Sequence, residues 1–230
     1  QKNGLHFTLK GYSFFHWMAI FKTGFSSFLL DITSGFVMFV FNIQILKYIG
    51  DIGVSVYGII TNTAIIINCL SNGISQAAQP IISTNYGAGL PIRIKEVRNL
   101  AMKTALCICS VFTLLGWLFP NLFTYIFMHP NEQILMLAPT AIRVYFSAFI
   151  IIGLNMFMIS YFQATVNPRN ALILCLLRGC ILSTLFVFIL PPIFGIIGIW
   201  AALPLAEFIT LGIGWYFMHH SRLCPTGETI

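Results

Sequence analysis

One aspartate in this sequence stands where a charge needs a reason. Asp31 lies within GFSSFLLDITSGFVMFVFN (24–42), an otherwise apolar stretch. If a membrane-spanning helix starts near residue 20, Asp31 sits about eleven residues into it, roughly 16 Å at 1.5 Å per residue and close to mid-bilayer. Ionisable groups at that depth are costly and face a bundle interior or a water-filled cavity. Ser27, Ser34, Gly35, Met38 and Asn42 fall on its helical face, so the carboxyl belongs to a polar stripe. Two roles fit it. Asp31 can exchange a proton or a cation, because burial favours the neutral carboxyl and a cation restores the charge. It can equally be a structural carboxyl hydrogen-bonded to hydroxyls or amides of a neighbouring helix.

Other polar groups recur at similar depth. Glu207 falls in the last apolar stretch, three residues beyond Pro204, and Arg178 about eight residues into the one before. Their depths predict a structural Arg178–Glu207 ion pair between consecutive helices, which lowers the membrane cost of both. The second stretch carries Asn68 and Asn72 on one face, with Asn62 set off from them, as a cavity lining or as interhelical hydrogen bonding. In the fourth, Asn155, Met156, Met158 and Tyr161 mix amide, thioether and aromatic groups, which suit a pocket for apolar cations and suit ordinary packing as well. No HExxH, GxSxG or phosphate loop is present, and all five histidines lie outside the mid-membrane region. An intramembrane enzyme would have Asp31 and Glu207 alone to work with, so the enzyme reading, like that of a structural subunit, stays a rival.

Composition sets the class. Hydrophobic residues make up 58% and charged residues 8%, with a mean hydropathy of +0.89. Soluble domains average roughly 25% charged residues, so this is an integral membrane protein whose first partner is the lipid bilayer. The short alternating segments of a membrane barrel are absent from the sequence, leaving an all-α bundle. The net charge of +6 comes from loop residues that membrane topology explains, so nucleic acid is not a partner. The six cysteines lack the paired spacing of a metal site and read as small hydrophobes; no cofactor or resident metal is expected. The chain opens QKNG without Met, as a piece of a longer protein would.

Six stretches reach the roughly 20 apolar residues a spanning helix needs: about 20–46, 54–82, 97–119, 134–162, 171–190 and 196–218. Residues 1–19 form an interfacial lead-in and 219–230 a tail. The third span reaches Phe119, with continuation past Pro120 left open, and Pro80 is expected to break the second. Basic residues on the N-terminal side (Lys2, Lys10, Lys22, Arg93, Lys95, Arg98, Lys103, Arg169, Arg222) far outnumber those opposite, where Lys47 is clear and Arg143 lies somewhat inside the fourth span. The positive-inside bias puts both termini in the cytoplasm. Trp17, Trp117, Trp200 and Trp215, near span ends, read as an aromatic belt.

The stretch 73–89, GISQAAQPIISTNYGAG, combines small residues for close helix approach with three amides. Followed by IRIKEVRN, it resembles the end of the second helix of a lobe in the multidrug and toxic compound extrusion (MATE) family, with Gly73, Ala77, Gln79, Pro80, Asn85, Tyr86, Gly87 and Ala88 matching the pattern. Residues 24–42 are similar to the family's seventh helix, 161–171 to the loop between its tenth and eleventh helices, and 195–207 to the start of its twelfth. The resemblance implies a six-helix bundle that is the C-terminal lobe of a twelve-helix transporter of a bacterial inner membrane. It implies export of cationic or amphipathic compounds by antiport with H+ or Na+, with an N-terminal lobe as the missing partner. Asp31 would then be the coupling group. Sodium-coupled branches carry their acid about one turn later, near Ser34, which leaves the ion open. Ser27, Met38, Asn42, Asn68, Asn72, Asn155 and Tyr161 would line the cavity. The rival within the wider superfamily is a lipid-linked oligosaccharide flippase, whose anionic substrate would favour several central basic residues, where this sequence has Arg178 alone.

Overall fold

The computed structural model describes residues 35–220. Asp31, Ser27, Ser34, Trp17, the lead-in and the start of the first span lie outside the described residues, as does the tail from residue 221. Every regular element among the described residues is helical. The first is α1 (Gly35–Tyr48). It is followed by α2 (Asp51–Gly87), α3 (Pro91–Leu118), α4 (Pro120–Phe127), α5 (Glu132–Phe146), α6 (Phe149–Ala164), α7 (Pro168–Leu176), a π-turn (Leu177–Ile181), α8 (Leu182–Phe194) and α9 (Ile196–His220). Taken as continuous rods, α2, α3, α5–α6, α7–α8 and α9 are long and apolar enough to cross a bilayer.

Pro80 does not end the second span. Helix α2 runs through it for seven more residues, and side chains on that turn hydrogen-bond back to the ladder: Thr84 Oγ1 donates to Pro80 O (2.8 Å), Ser83 Oγ to Gln79 O (2.9 Å) and Asn85 Nδ2 to Ile81 O (2.7 Å). The chain turns at Gly87–Leu90 instead. Leu90 N donates to Asn85 O (3.0 Å) and Gly89 N to Tyr86 O (3.1 Å), while Gly89 holds φ +67°. That is a Schellman stop with glycine at its left-handed position, and Pro91 then opens α3 with a φ already set for a helix. Gly89→Ala should therefore lower stability by about 1–2 kcal/mol, the cost of a left-handed non-glycine residue. Gly89→Asn should cost less, and thermal unfolding of the full-length protein reads the difference.

Three other spans are interrupted. Pro120 ends the third because the residue before proline is driven out of the helical region. Phe119 has φ −128° and ψ 57°, and the short α4 starts afresh. The fourth span breaks between α5 and α6 at Ser147–Ala148, where Ser147 Oγ donates to Val144 O (2.6 Å) and Thr113 Oγ1 of α3 lies 3.1 Å from the Phe146 carbonyl. The π-turn interrupts the fifth. At the C-terminal ends of α3 and α5, Trp117 Nε1 donates to Arg143 O (2.9 Å) and Arg143 Nε to Trp117 O (3.2 Å). Trp200 is not part of a belt: it is fully buried, because α9 packs that face against α5, and the α2 side chain Tyr57 reaches it with ring centroids 6.5 Å apart.

The interior is two apolar clusters stacked along the helix axes. One gathers Phe41, Tyr57, Tyr145, Phe146, Phe149 and Trp200. The other gathers Ile82, Ile94, Phe157, Tyr161, Phe162 and Met218 at the opposite end. Each long helix passes from one to the other, and the residues at the crossing are small or polar: Ser71 and Ser75 on α2, Gly153 and Asn155 on α6, Arg178 in the π-turn and Glu207 on α9. A thin polar layer therefore separates two greasy halves.

Candidate functional site

Glu207 is the centre of that layer. Its carboxylate is 2% exposed, a burial that an unpaired charge does not survive. Arg178 meets Oε1 with both Nε and Nη2 at 3.0 Å. Asn155 Nδ2 donates to Oε2 at 2.6 Å and to the Glu207 carbonyl at 2.9 Å. One cation and one amide thus take both carboxylate oxygens, and three helical rods are tied at one depth.

The backbone is bent to make this contact. Arg178 lies in the π-turn, where Leu182 N reaches back five residues to Leu177 O, and Ser183 Oγ donates to Arg178 O at 2.5 Å. Such turns insert one residue into a helix and concentrate at functional positions. On the facing helix, Pro204 removes one backbone donor a turn before Glu207. Asn155 Oδ1 is left over: it is buried with no hydrogen-bond partner among the described residues.

The residues expected to line a cavity divide into two groups. Asn155 and Tyr161 are 2% and 1% exposed, inside the bundle, so neither lines an open surface. Asn155 is taken up by Glu207, and Tyr161 by the aromatic cluster around Phe157 and Phe162. Met38 (48% exposed) and Asn72 face outward, and Asn42 and Asn68 are half-buried. Asn42 Nδ2 is engaged by its own helix, donating to Met38 O at 2.9 Å. Arg178 and Glu207 meet as their depths implied.

A second polar feature escaped the sequence reading. Opposite the buried face of α2, the residues Asn62, Cys69, Gly73, Gln76 and Pro80 are all exposed and follow one another at spacings of seven, four, three and four. These form one stripe down the helix. Asn68 and Asn72 sit at its edge. Grouping α2's amides by four-residue spacing alone hid the stripe, whereas counting the full period from Asn62 would have found it. Lipid has no use for exposed amides at this depth, so the stripe faces water or another protein body. Of the motif residues, Gly73, Pro80 and Gly87 are on the outer surface, while Gln79, Asn85 and Tyr86 are half-buried.

Fold and site together define a multi-pass helical membrane protein: a single bundle with a charged layer at its waist and a polar outer stripe. The chain belongs to the MatE family, whose model matches residues 27–189. It is 28% identical over 193 residues to the multidrug export protein MepA of Staphylococcus aureus (strain MSSA476), and 27% identical over 199 residues to MepA of Staphylococcus saprophyticus. These alignments take in 82% and 83% of this chain and 41% of each relative, so the chain spans about two fifths of their length. Among solved structures, a multidrug resistance MATE family transporter in an outward-facing conformation superposes with a TM-score of 0.82, and a MOP superfamily transporter from Pyrococcus furiosus with 0.81. Both are 20% identical and share the fold; each covers 94% of this chain, which matches 49% and 50% of theirs.

Proposed function

We propose that this chain is the C-terminal lobe of a secondary transporter that exports cationic or amphipathic compounds across a bacterial inner membrane by antiport with H+ or Na+. The observation that carries the reading is the 193-residue match to two fifths of a protein named for multidrug export. The outward stripe on α2 supports it, because a lobe that closes a cleft against a second lobe needs such a polar face, and repeat-built carriers bind their cargo between repeats. Met38, Asn42, Asn68 and Asn72 then line the cleft with that stripe. Asp31 is the group that takes and releases the coupling ion, with Ser34 one turn along as an oxygen neighbour. Both ends of the lobe face the cytoplasm, on the side where its basic residues collect.

Asp31→Asn keeps shape and hydrogen bonding while removing the charge. In the full-length protein reconstituted into vesicles, it should reduce gradient-driven export of a lipophilic cationic dye to the level of empty vesicles, with binding of the dye retained. Undiminished, still ion-driven export by this variant would overturn the assignment of Asp31. An anionic lipid-linked sugar carried in place of the dye would favour the flippase reading.

A further inference from the structure

We infer that the outward face of α3 binds an anionic phospholipid, with the Lys103 ammonium as the ligand of its headgroup phosphate. Leu100, Lys103, Cys107, Val111, Leu114 and Leu118 are all exposed and follow one another at spacings of three, four, four, three and four. That spacing makes one stripe along the helix. Unlike the stripe on α2 it carries no amide, and its aliphatic side chains suit acyl chains. Lys103 therefore stands on a lipid-facing surface.

Its depth is what calls for a partner. Helix α3 has 28 residues, about 42 Å at 1.5 Å per residue, so upright in a core of about 30 Å it leaves roughly 6 Å at each end. Lys103 is twelve residues past Pro91, about 18 Å along the axis, which puts its Cα roughly 12 Å inside the core. Helix side chains lean toward the N-terminus, and that end of α3 carries Arg93, Lys95 and Arg98. The four-carbon stem thus lifts the ammonium toward the nearer surface, where a headgroup phosphate can come down to meet it. No side chain does so instead. Among the described residues, Arg93, Lys95, Lys103 and Arg169 pair with no carboxylate, since the ion pair there is Arg178–Glu207. Arg98 is turned onto its neighbour, Nη2 lying 3.2 Å from Asn99 Oδ1. Glu96 stands two turns from Lys103 on the same face, but four bases against this one acid leave residues 91–103 at +3. Basic clusters of this size beside a spanning helix attract anionic headgroups. A free phosphate would match the charge and leave the stripe uncovered, whereas a lipid answers both. Neither the transport reaction nor the orientation of the lobe enters this inference.

The test is native mass spectrometry of the full-length protein titrated with phosphatidylglycerol or with phosphatidylcholine of the same acyl chains. The parent should take its first phosphatidylglycerol more tightly than phosphatidylcholine. Lys103→Met should weaken that first step about fivefold, the equivalent of the roughly 1 kcal/mol a basic residue at a membrane surface is worth. It should leave phosphatidylcholine binding unchanged, and Lys103→Arg should restore the preference. Lys95→Met, off the stripe, should leave the first step where it was. An undiminished preference in Lys103→Met overturns the inference, and so does an equal loss in Lys95→Met, which would mean diffuse surface charge. Displacement of the lipid by excess inorganic phosphate would overturn the lipid as the occupant. Lys103→Gln carries the same expectation as Lys103→Met, so the test stands if the Met variant is lost in purification.

Discussion

Arg178→Met is expected to destabilise the protein by about 3–5 kcal/mol, the usual cost of removing one partner of a buried ion pair. The cost is not symmetric. Without Arg178, the Glu207 carboxylate stays at the waist of the bundle, 2% exposed, with only the Asn155 amide to neutralise it. Without Glu207, the Arg178 side chain is already partly open and can carry its head group toward water along its apolar stem. Glu207→Gln should therefore cost less, about 1–3 kcal/mol, the range for leaving a buried polar group short of a partner. Joined as Arg178→Met/Glu207→Gln, the two should cost much less than their sum, because neither leaves a charge behind. Thermal unfolding of the four proteins gives the coupling directly. Additive losses would mean the two residues do not act as a pair.

The pair illustrates what a sequence of this kind discloses. Arg178 and Glu207 could be matched because both lie in consecutive apolar stretches and depth follows from counting residues at a fixed rise. Their third partner could not be found that way. Asn155 is on a helix two spans earlier, and its choice of Glu207 over an open cavity depends on how α6 is rotated against α9. Rotation also settled Tyr161 and Trp200, whose residue types suit a lining or a belt as readily as a core. The breaks were partly legible. Pro120 acted as its neighbour's restricted backbone requires, but Pro80 was absorbed by a helix whose hydroxyl and amide side chains hydrogen-bond its carbonyls. The π-turn has no proline or glycine pair to announce it, since the extra residue arises from the register needed to bring Arg178 to Glu207. The kink at Ser147–Ala148 is equally silent, and it is set by what packs against it.

That packing yields the other large effect. Gly116 of α3 faces the kink so closely that a Cβ there would overlap the ring of Phe146, the last residue of α5. The ring has nowhere to go: it is fully buried, with centroids 4.3 Å from Phe149 and 5.0 Å from Phe123. Gly116→Ala must therefore move backbone, and α3 should be forced away from the kink, separating Thr113 from the Phe146 carbonyl it covers. A loss at the upper end of the roughly 1–3 kcal/mol typical of overpacking is expected. Gly153 makes the useful contrast. A Cβ there would lie 2.6 Å from Cys109 Sγ and 3.3 Å from Ser71 Oγ, both ends of short side chains that can rotate aside. Gly153→Ala should cost less for that reason. Phe146→Leu should partly rescue Gly116→Ala, because it trims the ring that the new methyl strikes, although alone it opens a cavity and destabilises. Melting the two glycine variants and the Gly116→Ala/Phe146→Leu pair separates a steric clash at the kink from a general intolerance of larger residues in these helices.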